Sequence, residues 1–425
     1  MAKVIVVGAG FCGLAAATEL NAAGFDVAVF EARDRVGGRV EPGRNGLGEL
    51  VDTGGQFICD DMPEVMALAR QRRKTLLEAH FDGDYVAQPA MTPGDAERAY
   101  AGSAALRDRM NLISPDDPGI AGLSVGAWLR AQDETADVKA AFRSMIEGLW
   151  CLGLDELPLW HLIDTDRRIT NEVGELQYSL AETLHSLAGD LADDLGGRVR
   201  LATPVTLIER GTEGVTAHAG GGIVKAKAAI VAVPPMMASR IAYAPALPAG
   251  LSHALGVWRS GTVIKVMVRY DRPFWRDRGL SGMVMWREPP SLFAFDTSRD
   301  DAHASLTFFV GGPQAREWRP RGEGYVRAET TARLVAALGP EAGDIRDMTI
   351  RDWSDDRWSG GAYSDLIVDM NARNAEAVLR AGAPPLFFAS SELSSSFPGY
   401  VEGALVAGRE AAARVAGWLR SRPAR

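Results

Sequence analysis

Residues 4–39 read VIVVGAGFCGLAAATELNAAGFDVAVFEARDRVGGR, and no other stretch narrows the fold as much. An apolar run, Val4–Val7, leads into Gly8-Ala9-Gly10-Phe11-Cys12-Gly13. A small-residue segment suited to a helix follows, then a second apolar run that ends in Glu31. This order predicts a strand, a tight turn, a helix and a second strand, with a dinucleotide fingerprint in the turn. Gly8 permits the turn, Gly10 lets backbone approach a pyrophosphate, and Gly13 lets the helix pack on the strand. The helix N-terminus offers unpaired N–H groups and a positive dipole end to phosphates. Glu31 follows Gly8 by 23 positions, where a carboxylate can accept hydrogen bonds from a ribose. A lone GxGxxG is weak evidence; here strand, helix, second strand and acid all fall in place.

At 425 residues the chain is long for one core, which makes two domains the expectation. Hydrophobic content of 47% with 24% charged residues is that of an ordinary globular protein. The net charge of −9 argues against nonspecific nucleic-acid binding and against an anionic membrane surface. Three scattered cysteines, Cys12, Cys59 and Cys151, imply a reduced compartment without a disulfide framework. Cys12 reads as a small spacer within the fingerprint. The first strand begins at about Lys3, which leaves no room for a targeting segment. No run of 18 apolar residues exists, and the sequence ends Ser421-Arg422-Pro423-Ala424-Arg425 after a soluble helix. The expected location is cytoplasmic. The six histidines have no ligand spacing, so no metal site is expected. Only six of the 46 basic residues are lysine, which makes Lys265, inside an apolar segment, worth attention.

Past residue 60 the text turns helical until about 190, with EVMALARQRRKTLLEA, SVGAWLRAQ and VKAAFRSMIEGLW at 3–4 spacing. Short β runs follow: Val199–Ala202, Gly214–Ala217 and Ala229–Val233. Further β signals, such as Thr262–Val268 and Ser305–Val310, occupy 260 to about 370, and 386–420 reads as a strand, a glycine turn and a helix. Gly122-Leu123-Ser124-Val125-Gly126 matches the nucleophile elbow of hydrolases, but no strand precedes it. Ser124 reads better as a helix N-cap. Trp150, Trp160, Met283, Met285 and Trp286 are pocket candidates that read equally as core.

The first, third and last segments share β/α dinucleotide character. The expected fold class is therefore α/β, with one discontinuous Rossmann-like domain over 1–60, 193–240 and 378–425. A mixed helical and β-sheet substrate domain over 61–192 and 241–377 interrupts it twice.

The block Glu31-Ala32-Arg33-Asp34-Arg35-Val36-Gly37-Gly38-Arg39 resembles the second glycine motif of the flavin-containing amine oxidases. That family includes monoamine oxidase, polyamine oxidase and bacterial nicotine-type oxidases. The resemblance implies a glutathione-reductase type FAD domain, with Ala32, Arg33, Gly38 and Arg39 against the ribose and pyrophosphate. The alternative for this block is a solvated charged turn. Gly54-Gly55-Gln56-Phe57 is similar to the family's third cofactor loop, which brings in Gly55 and Gln56. Thr203-Pro204-Val205 matches the position where Val205 holds the adenine through its backbone, although an ordinary strand end reads the same way. Gly261–Val266 with Tyr270–Trp275, then Trp353, Ser359–Tyr363, Glu392 and Phe397–Ala404 complete the likeness.

The resemblance implies roles. Lys265 holds a water at flavin N5; an edge-strand lysine facing solvent is the alternative. Tyr363 and Tyr400 form an aromatic cage that guides an amine nitrogen, against two structural tyrosines. Trp353 packs on the flavin. Gly399, Tyr400 and Val401 open the last helix, whose positive end faces the N1–C2=O edge. Two departures stand out. Ala362 occupies the position of the cysteine that bonds flavin covalently in mitochondrial monoamine oxidases, so FAD is expected to be noncovalent. Ala389-Ser390-Ser391-Glu392 lacks the glycine common before the acid.

The implied reaction is oxidation of a neutral amine to an imine, hydrolysis to aldehyde or ketone, and reduction of O2 to H2O2. The expected partners are a small-molecule amine and O2, with neither nucleic acid nor membrane. The oligomeric state stays open, a homodimer being one option. Alternatives are a dehydrogenase or desaturase of the same fold acting on a non-amine, an L-amino-acid oxidase, and a flavin-binding protein without turnover.

Overall fold

The computed structural model describes residues 3–421. The apolar run at the N-terminus forms the central strand, Lys3–Val7, of a five-stranded parallel sheet. Across the sheet the order is Leu386–Phe388, Ala228–Val231, Lys3–Val7, Asp26–Phe30 and Val199–Arg200. Val4, Ile5 and Val6 are fully buried, because both faces of a parallel sheet are covered and its strands read as continuous apolar text. The helix Phe11–Ala22 covers one face and packs along the last helix, Val401–Arg420. A Cβ on Gly408 would stand 2.3 Å from the Cys12 carbonyl, so the two backbones meet with no side chain between them.

A second, six-stranded sheet is ordered Asp347–Asp352, Val263–Arg269, Ser305–Gly311, Leu292–Asp296, Leu280–Trp286 and Asp84–Gln88. Its pairings are antiparallel except the last. The strand Val263–Arg269 is interior, which removes the edge-strand reading of Lys265. Alternation sends Ile264, Val266 and Val268 into the core with Trp275 and Phe308. Val263, Lys265, Met267 and Arg269 therefore face the other way.

Helices Pro63–Gln71, Pro93–Leu112, Ala136–Trp150, Leu159–Arg167 and His185–Leu195 fill much of the stretch between. The Ser124 hydroxyl accepts the Ala127 N–H at 3.1 Å and caps Val125–Arg130, as the N-cap reading requires. Three expectations change. Within the stretch 260–370, read from its β signals, Gly312–Trp318 and Glu323–Leu338 are helices. The segment EVMALARQRRKTLLEA is not one helix: it stops at Gln71, Arg73 turns at φ 52°, and Leu76–Glu78 pairs with Tyr178–Leu180. The expected run Val199–Ala202 is strand only to Arg200. Ala202 sits at φ 49°, and the N–H groups of Ala202 and Thr203 bond the carbonyls of Arg33 and Glu31. That turn closes this segment over the second glycine motif. Among the described residues no helix is long and apolar enough to cross a membrane, and no cluster of potential metal ligands exists. The tail Arg422–Arg425 lies outside the described residues.

Candidate active site

The fingerprint turn, the second motif, the Gly54–Phe57 loop, Lys265, both tyrosines and the start of the last helix line one cavity of about 620 Å3. Gly8 holds φ 103°, and a Cβ there would stand 2.6 Å from the Ala232 carbonyl. A Cβ on Gly13 would lie 1.9 Å from the Gly8 carbonyl, so only glycine lets helix and strand close. Gly10 and Gly38 face each other across bare backbone: a Cβ on Gly38 would meet only Gly10 Cα, at 3.5 Å. This cradle suits a pyrophosphate, and a side chain there would fill it. The helices Phe11–Ala22 and Val401–Arg420 both begin at the cavity without a side-chain cap. Their leading N–H groups and positive dipole ends are left for an anionic ligand. A dinucleotide flavin fits these residues.

Glu31 is buried, and its two oxygens take the N–H groups of Ala9 at 2.7 Å and Arg33 at 2.8 Å. It ties the fingerprint turn to the second motif, and a carboxylate has lone pairs beyond these two bonds. Arg33 is held by Asp356 and Ser359. Burial alone pushes the Asp356 carboxyl up; the hydrogen bonds from Arg33, Ser359 and Arg351 override it and hold it well below the usual range. Arg39 donates to Glu392 at 2.6 Å, to the Tyr363 carbonyl at 2.8 Å and to Ser391 Oγ at 3.1 Å. Burial raises the Glu392 carboxyl, the Arg39 charge lowers it, and the ion pair prevails. The serines that replace the family's glycine therefore have uses. Ser391 bridges Arg39 to Glu392, and Ser390 lines the cavity.

Ala32, Gly55, Gln56, Val205, Gly399 and Val401 also line the cavity. Three expected site residues do not: Gly13, Glu392 and Trp353 stand one layer behind. Trp353 is held there because its indole donates to the Thr53 carbonyl at 2.9 Å and Arg351 covers its ring at 4.1 Å. Trp358, five residues on, lines the cavity instead.

Lys265 is buried, and its ammonium donates to the Asp52 carbonyl at 2.6 Å, the Gly54 carbonyl at 2.9 Å and Gln56 Oε1 at 2.9 Å. All three of its protons are engaged. Gln56 is the sole side chain among these acceptors. Burial lowers the ammonium to about 8, while the nearby Asp52 charge works to raise it. Burial raises the Asp52 carboxyl to about 7 against the Lys265 charge.

The Tyr363 ring meets Phe309 edge-on at 6.2 Å, and its hydroxyl is buried without a protein partner. The Tyr400 hydroxyl donates to Glu175. Burial pushes both phenols well above their ordinary value, and Glu175 adds to this at Tyr400. The surrounding wall is apolar: Phe57, Leu176, Met285, Phe293, Phe295 and Phe309. Of the pocket candidates, Trp150 and Met285 line the cavity, Trp160 and Trp286 are core, and Met283 does not line the cavity.

Sequence reasoning missed Glu175, Arg107 and Asp166. Arg107 lines the cavity near Tyr400 and Glu175, and its guanidinium grips Asp166 through two bonds of 2.7 and 2.8 Å. Nothing local marks Glu175, in a loop, or Arg107, on a long helix among 40 arginines.

The model of the flavin containing amine oxidoreductase family matches residues 11–416. The chain belongs to this family. It is 30% identical to putrescine oxidase of Kocuria rosea, over 97% of this chain and 95% of that protein. It is 26% identical to L-amino acid dehydrogenase of Synechocystis, over 98% and 95%. Among solved structures, cyclohexylamine oxidase from Brevibacterium oxydans superposes with a TM-score of 0.88 at 26% identity, covering 99% of each chain. The protein is thus a flavin-dependent amine oxidase by family, with FAD as cofactor and the FAD amine oxidase fold.

Proposed function

We propose that the chain oxidises a small amine to an imine, which water converts to an aldehyde or ketone, and that dioxygen is the acceptor, leaving as H2O2. The observation that carries this reading is the convergence of Lys265, Tyr363 and Tyr400 on one apolar cavity continuous with the dinucleotide turn. FAD, when bound, supplies the two-electron acceptor; the chain's own residues bind and orient. Gly8, Gly10, Glu31, Ala32, Arg33, Gly38 and Arg39 hold the ribose–pyrophosphate end, supported from behind by Gly13 and Glu392. Val205 takes the adenine side, and Gly55, Gln56, Gly399, Tyr400 and Val401 take the flavin end, backed by Trp353. Tyr363 and Tyr400 present ring faces to the amine. The aromatic wall excludes water, so the amine binds best with its lone pair free.

At the Tyr400 end the Arg107 guanidinium is already taken by Asp166, and burial raises the carboxyl of Glu175, which accepts the Tyr400 hydroxyl. This favours an amine without a carboxylate over an amino acid. The same reading divides the chain as the sequence suggests. Segments 1–60, 193–240 and 378–425 hold FAD, while 61–192 and 241–377 shape the amine pocket. In support, all strands of the parallel sheet come from the first set and all of the six-stranded sheet from the second.

The test is a peroxide-release screen over mono-, poly-, cyclic and amino-acid amines, followed by stopped-flow flavin reduction. We expect peroxide with a carboxylate-free amine. The reduction rate should rise with pH and level off as the bound amine loses its proton. Absence of peroxide and of anaerobic flavin bleaching with every amine refutes the reading.

A further inference from the structure

Behind Lys265 lies a second cavity of about 550 Å3, rimmed by exposed Arg44, Asp300 and His303. The register of the six-stranded sheet explains its character. Lys265 lies in one row with Phe309, Phe293 and Met285, which wall the amine side. The next row on the same face contains Met267 and Thr307, and the row after it Arg269 and Ser305. Those four residues line the second cavity, as does Thr297, whose hydroxyl lies 3.1 Å from Ser305 Oγ and 3.0 Å from Thr307 Oγ1. Phe295 stands in the Met267 row opposite Thr307 and still walls the amine side, so the sheet face changes from aromatic to hydroxyl-bearing and charged between the Lys265 row and the Arg269 row. Gln56 lines both cavities, and so does the partition itself: Lys265 borders the first and Asp52 the second.

The charges around Asp52 are accounted for. Lys265 and Arg299 are the cations that act on it, and its carboxylate takes the Leu184 N–H at 3.1 Å. Arg269 pairs with Glu49, and His303 pairs with Asp300. Arg44 donates to the Gly48 carbonyl, and Asp347 takes the Gly46 N–H and the Thr349 hydroxyl.

We propose that the second cavity is the water and proton route to the N5 edge of the flavin, separate from the amine's route, with Asp52 as the residue that passes protons to Lys265. This rests on the reading that Lys265 stands at N5 and that dioxygen is the acceptor. Dioxygen takes two electrons and the N5 proton from the reduced cofactor and one further proton from Lys265, and leaves as H2O2. Lys265, now neutral, recovers its proton from the Asp52 carboxyl through water, and Asp52 regains it from water in the cavity. Burial brings the two groups to about 7 and about 8, so near neutrality one can release a proton that the other accepts.

The sign of the pH effect follows. The donating form is protonated, so reoxidation by dioxygen should be fast at low pH and fall as pH rises past about 8. The Asp52 charge raises Lys265, so Asp52→Asn should move that break to lower pH. The same variant should slow reoxidation at neutral pH about tenfold or more, with a smaller effect on flavin reduction. Met267→Phe, which fills the cavity from the sheet side, should slow reoxidation and decides the matter if Asp52→Asn does not fold.

An independent readout is spectroscopic and uses the resting holoenzyme, without turnover. Lysine ε-carbon NMR resolves a chain with six lysines, and the Lys265 titration should move down in Asp52→Asn. Wild-type reoxidation rates and an unmoved pH break in both variants, with an unmoved Lys265 titration, overturn the relay. A wild-type enzyme that dioxygen does not reoxidise overturns the reading beneath it instead, and the two failures are distinct.

Discussion

Lys265 has three N–H donors, and the structure occupies each of them. Lys265→Met keeps the side-chain length and removes donors and charge. It also orphans buried acceptors at about 1–3 kcal/mol for an unsatisfied group. The variant should therefore fold with reduced stability, read from its denaturation midpoint. Its oxidative half-reaction should slow more than its reductive one, because the lost charge favours developing anion at N5. Stopped-flow measurement of each half-reaction checks this, and equal rates in variant and wild type would remove Lys265 from the chemistry. Lys265 was legible because an isolated lysine interrupts an alternating apolar strand. Its partner Asp52 was not, since they lie 213 positions apart and the carboxylate acquires its character only from burial beside that strand. The same holds for Glu175, whose one visible use is a bond to Tyr400, 225 positions away.

At the scale of elements, close approach decides which glycines matter. Gly13 is helical, and in open space Gly→Ala stabilises a helix by about 1 kcal/mol. Here the added carbon would stand 1.9 Å from the Gly8 carbonyl, so helix and strand must separate and the phosphate cradle opens. Gly13→Ala should lower stability and elute from gel filtration with little flavin absorbance per chain. Gly189, inside His185–Leu195, has nothing within 4 Å of its would-be Cβ. Gly189→Ala should hold its flavin and gain up to about 1 kcal/mol. A matching loss in both variants would show that packing at Gly13 is not what matters. The strand–turn–helix–strand unit was legible because each glycine there has a geometric duty that spacing reveals. The break at Arg73 was not, because Leu76 and Leu77 fit a helix face and a strand equally well. Only pairing with Tyr178–Leu180 decides between them.

For the molecule as a whole, the parallel sheet gathers strands from three separated stretches of chain, and the cofactor cavity opens where they meet. That discontinuity was legible because β/α text recurs at three places; the apolar-to-polar change across the second sheet was not, because it depends on register between strands. A ligand that binds only the assembled chain stabilises it by mass action, by about 2.7 kcal/mol at one hundred times its dissociation constant. A covalent flavin gives no such concentration dependence. At position 362 the chain has alanine, its N–H bound to the Gly261 carbonyl, beside Tyr363. Cys59 and Cys151 do not line the cavity; Cys12 does, and burial holds its thiol well above the ordinary range, hence neutral. No described side chain there is a thiolate poised to bond a flavin. Purified protein should therefore be yellow and release intact FAD on acid or heat denaturation. Its thermal midpoint should rise with added FAD in the manner of a reversible ligand. Flavin that stays with the precipitated chain, together with a midpoint indifferent to FAD, would show a bond that residue 362 cannot make.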